Sequence, residues 1–432
     1  MTRKMKDSGI EWIGEIPEGW EIHRIKTHFS IISGSGFKPE LQGQSTGDFP
    51  VCKASDISSS GHYLHTSANY ITSDIVKSQH FSIIPKGSIL FAKIGEAMRK
   101  NNRSLCSLDC CVDNNCQGLV PKNISSEFSY YLFTCIDMTW FDNAGTIPCI
   151  NNQKLYDCRI PFPSYGEQTL IANHLNIQCA KINEMLFHIR SSIEEYKKLK
   201  QTVITQAVTK GVRGEREMKD SGVEWAGLVP HHWGVAKIGS IGQTSSGATP
   251  LRSKEASFFD DAAIRWVRTL DLNDGLVYDS SEKITELALA SSACSIMPKG
   301  TVCVAMYGGA GTIGKCGLLM SDCATNQAVC SIVCNREIVS PIFLLMQLLA
   351  LKSYWMKYAV GTRKDPNISQ DVVARMKILI PPLDEQKEIT DYLDAKCAEV
   401  DKLIAKKEQL VKELESYKKS LIYEVVTGKR EV

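Results

Sequence analysis

The sequence predicts an α+β protein: two mixed α/β globules joined by two long helices that form an antiparallel coiled coil, with internal pseudo-twofold symmetry. Three observations predict it. The segment "MKDSGIEWIGEIPEGW", Met5 to Trp20, returns as "MKDSGVEWAGLVPHHW", Met218 to Trp233, with ten of sixteen positions identical. The stretch beginning "GEQTLIANHL" at Gly166 aligns without a gap on "DEQKEITDYL" at Asp384. The intervening regions echo each other more faintly, "IIPKGSILFAKIG" from Ile83 with "SIMPKGTVCVAMYG" from Ser295, and "VCKASDI" from Val51 with "WVRTLDL" from Trp266. Self-similarity on this scale is the mark of a duplicated structural unit.

A chain of 432 residues is too long for one core and calls for at least two domains. Its net charge of +2, from 50 basic and 48 acidic residues, excludes a polybasic protein, so any nucleic-acid contact is local. The sixteen cysteines are scattered, partly in apolar runs, with no C-x-x-C pair, and are expected as buried reduced thiols rather than a metal site. The opening "MTRKMKDSGIEW" has no apolar signal region, and the longest apolar run, "IFLLMQLLAL" from Ile342, is interrupted by Gln347 and falls well short of the ~20 residues a bilayer requires. A soluble, cytoplasmic protein is expected.

In chain order the expected organisation is a lead-in segment (1–18), a first globule (19–165), a long helix (166–213), a linker with the second lead-in (214–231), a second globule (232–383) and a final long helix (384–432). The globules carry short β-branched and aromatic runs bounded by Gly, Pro, Asn and Ser, with helical stretches at Ser126 to Met138 and Ser340 to Tyr358. In the first long helix Ile182, Met185, Ile189, Tyr196, Leu199 and Val203 recur at three- and four-residue spacing, with Ser192 as the polar break. Val400, Leu403, Leu410, Leu414, Tyr417 and Leu421 do the same in the second, with Lys407 as the break. Such heptads predict a coiled-coil seam. Each helix, free of internal Gly and Pro, should run ~40 residues, or about 60 Å. Equivalent helices packed about a twofold axis perpendicular to them must be antiparallel. Two diverged globules so mounted could touch two sites on one duplex with an unread gap between them.

With these motifs in this order, the whole chain resembles the specificity subunit of type I restriction-modification systems. The resemblance rests on the lead-ins Ile10 to Trp20 and Val223 to Trp233, and on "IPPLDEQKEI" at Ile380 to Ile389 with its first-half counterpart "IPFPSYGEQTLI" from Ile160. It implies two target recognition domains alternating with two helical conserved regions and no catalytic activity in the chain itself. It further implies an asymmetric bipartite site on double-stranded DNA, two methyltransferase subunits and endonuclease/translocase subunits as partners. No cofactor is expected in this chain; S-adenosylmethionine, ATP and Mg belong to the partners.

Local motifs allow other readings. "GAGTIGKC", Gly309 to Cys316, satisfies G-x-x-x-x-G-K but ends in Cys where a phosphate loop needs a hydroxyl, and a glycine-rich turn is the simpler account. Glu385-Gln386-Lys387 resembles the E-x-K of a nuclease, yet its repeat partner Glu167-Gln168-Thr169 lacks the lysine, and a Glu at a helix start serves capping and the dipole. There is no Asn-Pro-Pro-aromatic or Asp-Pro-Pro-aromatic tetrapeptide, and His231-His232 lacks metal-pair spacing. A scaffold binding only proteins and a nucleotide-dependent enzyme stay open as alternatives.

DNA-contact candidates follow from residue type, since Lys and Arg serve phosphates while Arg, Asn and Gln read bases. They are Lys53 and the cluster Arg99, Lys100, Asn101, Asn102 and Arg103 in the first globule. In the second they are Arg252, Lys254, Arg268, Lys315, Arg363 and Lys364.

Overall fold

The computed structural model describes residues 3–143, 145–308, 311–361 and 366–432. Two compact units emerge, one of Met1–Ile189 with Gln409–Val432, the other of Arg190–Glu408.

The repeated lead-in makes the same local structure twice. In the first unit Met5–Asp7 pairs antiparallel with Glu15–Pro17, and in the second Met218–Asp220 pairs with Leu228–Pro230. The Asp-Ser-Gly triplet explains its own repetition. Asp7 Oδ1 accepts the Gly9 N–H at 2.9 Å and Ser8 Oγ accepts the Ile10 N–H at 3.1 Å, while Asp220 and Ser221 do the same for Gly222 and Val223 at identical distances. Gly9 and Gly222 adopt φ of +63° and +61°, a region that glycine enters without Cβ strain.

In the first unit an antiparallel-dominated sheet has the spatial order Phe29–Ser33, Cys116–Pro121, Ile89–Ala92, Arg103–Cys106, Tyr63–Leu64. In the second the order Gly242–Ser246, Val329–Cys334, Val302–Ala305, Cys316–Leu319, Gly275–Val277 repeats it. The three strands that follow the edge strand in each sheet are buried at all or most positions, whereas the edge strands Phe29–Ser33 and Gly242–Ser246 are largely half-exposed and the second of them is polar. A helix follows in each, Ser126–Thr134 and Pro341–Ala350. The sequence suggested longer helices here. They stop at Thr134 and Ala350 and give way to 3-10 turns, Met138–Phe141 and Lys352–Lys357.

The central helix runs Tyr165–Lys210 and the C-terminal helix Leu383–Val426, 46 and 44 residues, or about 69 and 66 Å. Within the second unit Tyr196, Lys200 and Arg213 meet Lys407, Asp401 and Asp384 respectively: residue numbers rise along one helix as they fall along the other. The pair is antiparallel. Within the first unit Asn183 accepts a hydrogen bond from Lys418 Nζ at 2.8 Å, and Ile182 and Leu186 share a core with Leu421 and Val425.

The seam differs in part from the expected one. Ile182 and Leu421 are buried, and Ile189, Tyr196, Val203, Val400, Leu403 and Leu414 are half-buried. Met185, Leu199, Leu410 and Tyr417 are exposed; the residues one position on, Leu186, Lys200, Val411 and Lys418, take the inward face. Apolarity alone favoured Met185 and Leu199. The actual face tolerates lysines because their stems cover apolar surface while the ammonium groups reach a partner, Lys200 to Asp401 at 2.7 Å for one. Ile193, beside the supposed break at Ser192, is buried.

All sixteen cysteines are free, eleven of them buried. Burial pushes the Cys303 and Cys330 thiols up to about 12, as expected of inert packing groups.

Candidate nucleic-acid interface

The frame that presents each globule begins at the Glu-Gln pair opening each long helix. Trp20 Nε1 donates to Glu167 Oε1 at 3.1 Å, and Trp233 Nε1 donates to Glu385 Oε2 at 3.0 Å. Gln168 Oε1 accepts the Ser125 N–H at 2.8 Å and Gln386 Oε1 accepts the Ser340 N–H at 2.8 Å, so each buried Gln ties its helix to the cap of the globule's own helix. These contacts, rather than simple capping, account for the repetition of both letters. Glu385 also accepts from Arg213, Arg216 and His232 with only 4% of its side chain exposed. Burial pushes its pKa up, but the His232, Trp233 and Arg216 donors outweigh that and hold it below the usual carboxylate range. The nuclease-like Glu385-Gln386-Lys387 is thus a structural joint.

At one end of each five-stranded sheet the chain emerges in matching loops. In the first unit the register Ser33↔Gln117, Cys116↔Ala92 and Phe91↔Arg103 brings segments 34–48, 93–102 and 113–115 to that end. In the second, Ser246↔Cys330, Ala305↔Val329 and Val304↔Cys316 bring 247–258, 306–308, 311–315 and 326–328 there. Lys53 and Arg268 sit beside these loops in equivalent places. Each backbone N–H is held by an aspartate three residues on, Asp56 at 2.7 Å and Asp271 at 2.8 Å. Lys53 Nζ donates to Gln42 Oε1 at 2.7 Å and lies over the Phe37 ring. Arg268 is engaged with Glu282 and with Ser281 Oγ at 2.8 Å, over Trp266. Arg252 shares Glu282, at 2.6 Å, and stacks on Phe259.

The cluster after Met98 divides into surface and interior. Arg99 is exposed and pairs with Glu96 at 2.7 Å, and Lys100 is exposed at the end of the helix Gly95–Arg99. Asn102 Nδ2 donates to Ser58 Oγ at 3.0 Å. Asn101 and Arg103 are both engaged within the protein. Asn101 donates to Asp137 at 2.7 Å and accepts from the Met138 N–H at 2.8 Å. Arg103, only 7% exposed, opens a sheet strand whose members are all buried; its guanidinium donates to the Ile136 carbonyl and to Asn101, and burial pushes its pKa down to about 10. A basic-looking string in sequence is here half loop and half core.

Lys315 is half-buried, its N–H donating to the Thr312 carbonyl at 2.9 Å. The glycine-rich motif before it is not a phosphate loop: it leads into the strand Cys316–Leu319 rather than a helix, Ile313 is buried, and a Cβ on Gly314 would stand 2.2 Å from the Trp355 ring. Lys254 closes the short 3-10 helix Arg252–Lys254. Arg363 and Lys364 lie outside the described residues. Among the described residues no group of three or more His, Cys, Asp or Glu could hold a metal, and no helix is long and apolar enough to cross a membrane.

The sequence reading passed over the turns 113–115 and 326–328. A signal for them existed: Ile83 and Ile296 of the "PKG" echo are 213 residues apart, and carrying that offset forward puts Asp113-Asn114-Asn115 on Asn326-Gln327-Ala328.

Two copies of one frame, each presenting a diverged loop cluster at a sheet end, define a protein built for paired recognition. The model of the type I restriction modification DNA specificity domain matches residues 17–195 and again 230–415, and the chain belongs to that family. It is 26% identical to the type I restriction enzyme MjaIX specificity subunit of Methanocaldococcus jannaschii over 64% of this chain and 63% of that one. To the MjaVIII specificity subunit of the same organism it is 24% identical over 96% of this chain and 93% of the relative. The EcoKI specificity subunit of Escherichia coli (strain K12) is 21% identical over 90% and 84%. A solved structure described as the basis of complex assembly and conformational transition of the type I R-M system shares the fold at a TM-score of 0.69 and 16% identity, covering 96% of this chain and 99% of that one.

Proposed function

We propose that the protein is the DNA-binding specificity subunit of a type I restriction-modification complex and selects an asymmetric bipartite site. Residues 19–165 read one half and residues 232–383 the other. The two long helices set the unread gap and dock two methyltransferase subunits, which endonuclease/translocase subunits join in the full complex. S-adenosylmethionine, ATP and Mg serve those partners, in the cytoplasm. The observation that carries this reading is the contrast between frame and content. Lead-in hairpins, Trp–Glu bonds and Gln–cap bonds are duplicated atom for atom, whereas the loops at the sheet ends share a backbone plan and differ in side chains. A common frame with unlike readers is what an asymmetric target requires.

The test is to express the chain with its methyltransferase partner and sequence modified bases in host DNA. A single two-part motif with a fixed gap is expected. Replacing residues 19–165 with the corresponding segment of another family member should change one half of the motif and leave the other half and the gap intact. A complex that shows no salt-dependent affinity for any duplex would instead be a protein scaffold.

A further inference from the structure

We propose that Asn114 and Gln327, at equivalent turn tips in the two units, each read an adenine of an A·T pair, one in each half-site. This rests on the DNA-reading function just proposed and names residues that carry it.

The two turns are the same object. Asp113 Oδ1 accepts the Asn115 N–H at 3.2 Å, and Asn326 Oδ1 accepts the Ala328 N–H at 3.2 Å. The Asp113 N–H donates to the Cys52 carbonyl at 3.1 Å and the Asn326 N–H to the Val267 carbonyl at 3.0 Å. Across the turn, the Asn115 and Ala328 carbonyls accept from the Lys93 and Met306 N–H groups, both at 2.8 Å. A second strand end closes on the residue that leads into each turn: Cβ atoms on Gly34 and Gly247 would stand 2.5 and 1.8 Å from the Val112 and Thr325 carbonyl oxygens. The backbone of both turns is therefore fixed by bonds on several sides and by a contact only glycine permits.

On this rigid base the tip residue is exposed in each unit, and in each it is a carboxamide, although the third turn residue has diverged from Asn115 to Ala328. A carboxamide offers a donor and an acceptor side by side and matches adenine N7 and N6–H in the major groove. Among the described residues nothing occupies the Asn114 side chain. Gln327 Oε1 accepts a hydrogen bond from Thr249 Oγ1, which orients the amide and leaves it one lone pair and both N–H donors. Lys53 and Arg268 directly follow Cys52 and Val267, the residues that accept from the turns, so the backbone of a Lys or Arg, the residue types that serve phosphates, adjoins each turn.

The experiment uses the full chain with its methyltransferase partner and sequences modified bases in host DNA for wild type, Asn114→Ala and Gln327→Ala. Asn114→Ala should relax one position, an A·T pair, in the half of the motif that follows residues 19–165, with a roughly ten- to hundredfold loss of discrimination there. Gln327→Ala should relax one A·T position in the other half. Asn114→Asp keeps the side-chain shape while removing its donor and should relax the same position, so a folding defect in the alanine variant does not decide the matter. An unchanged motif in these variants, relaxation at a G·C pair, or uniform weakening at every sequence with a reduced salt slope would overturn the inference while leaving the function standing. A wild-type complex with no motif would overturn the function itself.

Discussion

Glu385 shows how much one carboxylate can hold. It accepts from Trp233, Arg213, Arg216 and His232 in a nearly closed position, so Glu385→Ala strands several donors and should destabilise the second unit by ~3 kcal/mol, read from denaturant unfolding followed by tryptophan fluorescence. Glu167, with Trp20 and Arg3 as its partners and 28% of its side chain exposed, should cost about 1 kcal/mol in the same measurement. The sign of the pH effect follows from the depressed pKa. Glu385 adds stability above its unfolded value near 4.5, and that stability is lost as pH falls through the lower folded value. The gap between wild type and Glu385→Ala should accordingly narrow as the solution is made acid and Glu385 takes up its proton. A gap that widened in acid would mean the carboxyl is protonated in the fold.

Along the helices, register is the quantity at stake. Leu186, 6% exposed, shares the first unit's core, whereas Met185 is 52% exposed. Leu186→Ala should cost about 2–4 kcal/mol and Met185→Ala under about 1, distinguishing the two registers by thermal melting. If the helical pair sets the gap, a heptad inserted after Ser192 with a matching heptad after Gln409 adds ~10 Å, roughly three base pairs, to the preferred gap. The half-site sequences should stay as they were. Changed bases at an unchanged gap, in modified-base sequencing, would refute the ruler. Pattern alone found both helices and their apolar periodicity but chose the wrong neighbour at four positions. The rule that apolar residues face inward does not foresee a lysine whose stem packs and whose ammonium finds an aspartate.

For the molecule as a whole, near-neutral charge means affinity for DNA must come from local contacts, and its salt dependence counts them. Lys53→Ala should weaken binding about equally for all duplexes and reduce the log–log salt slope by about one, measured by fluorescence anisotropy from low to physiological salt. A change confined to one sequence would make Lys53 a base reader instead.

The sequence by itself determined the duplication, the alternation of globule and helix, and the family, because those features are spelled in contiguous letters: a turn triplet, a tryptophan, a Glu-Gln pair, a heptad. It also placed Lys53 and Arg268 at matching points. Tertiary structure alone decided that Arg103 is buried and Asn101 engaged with Asp137, that Gly314 packs on Trp355, and that Asn114 and Gln327 stand exposed at the tips of their turns. Burial and hydrogen-bond partners are set by residues tens of positions away, as Arg103 by Ile136 and Gln327 by Thr249, and no local pattern of residue types encodes that pairing.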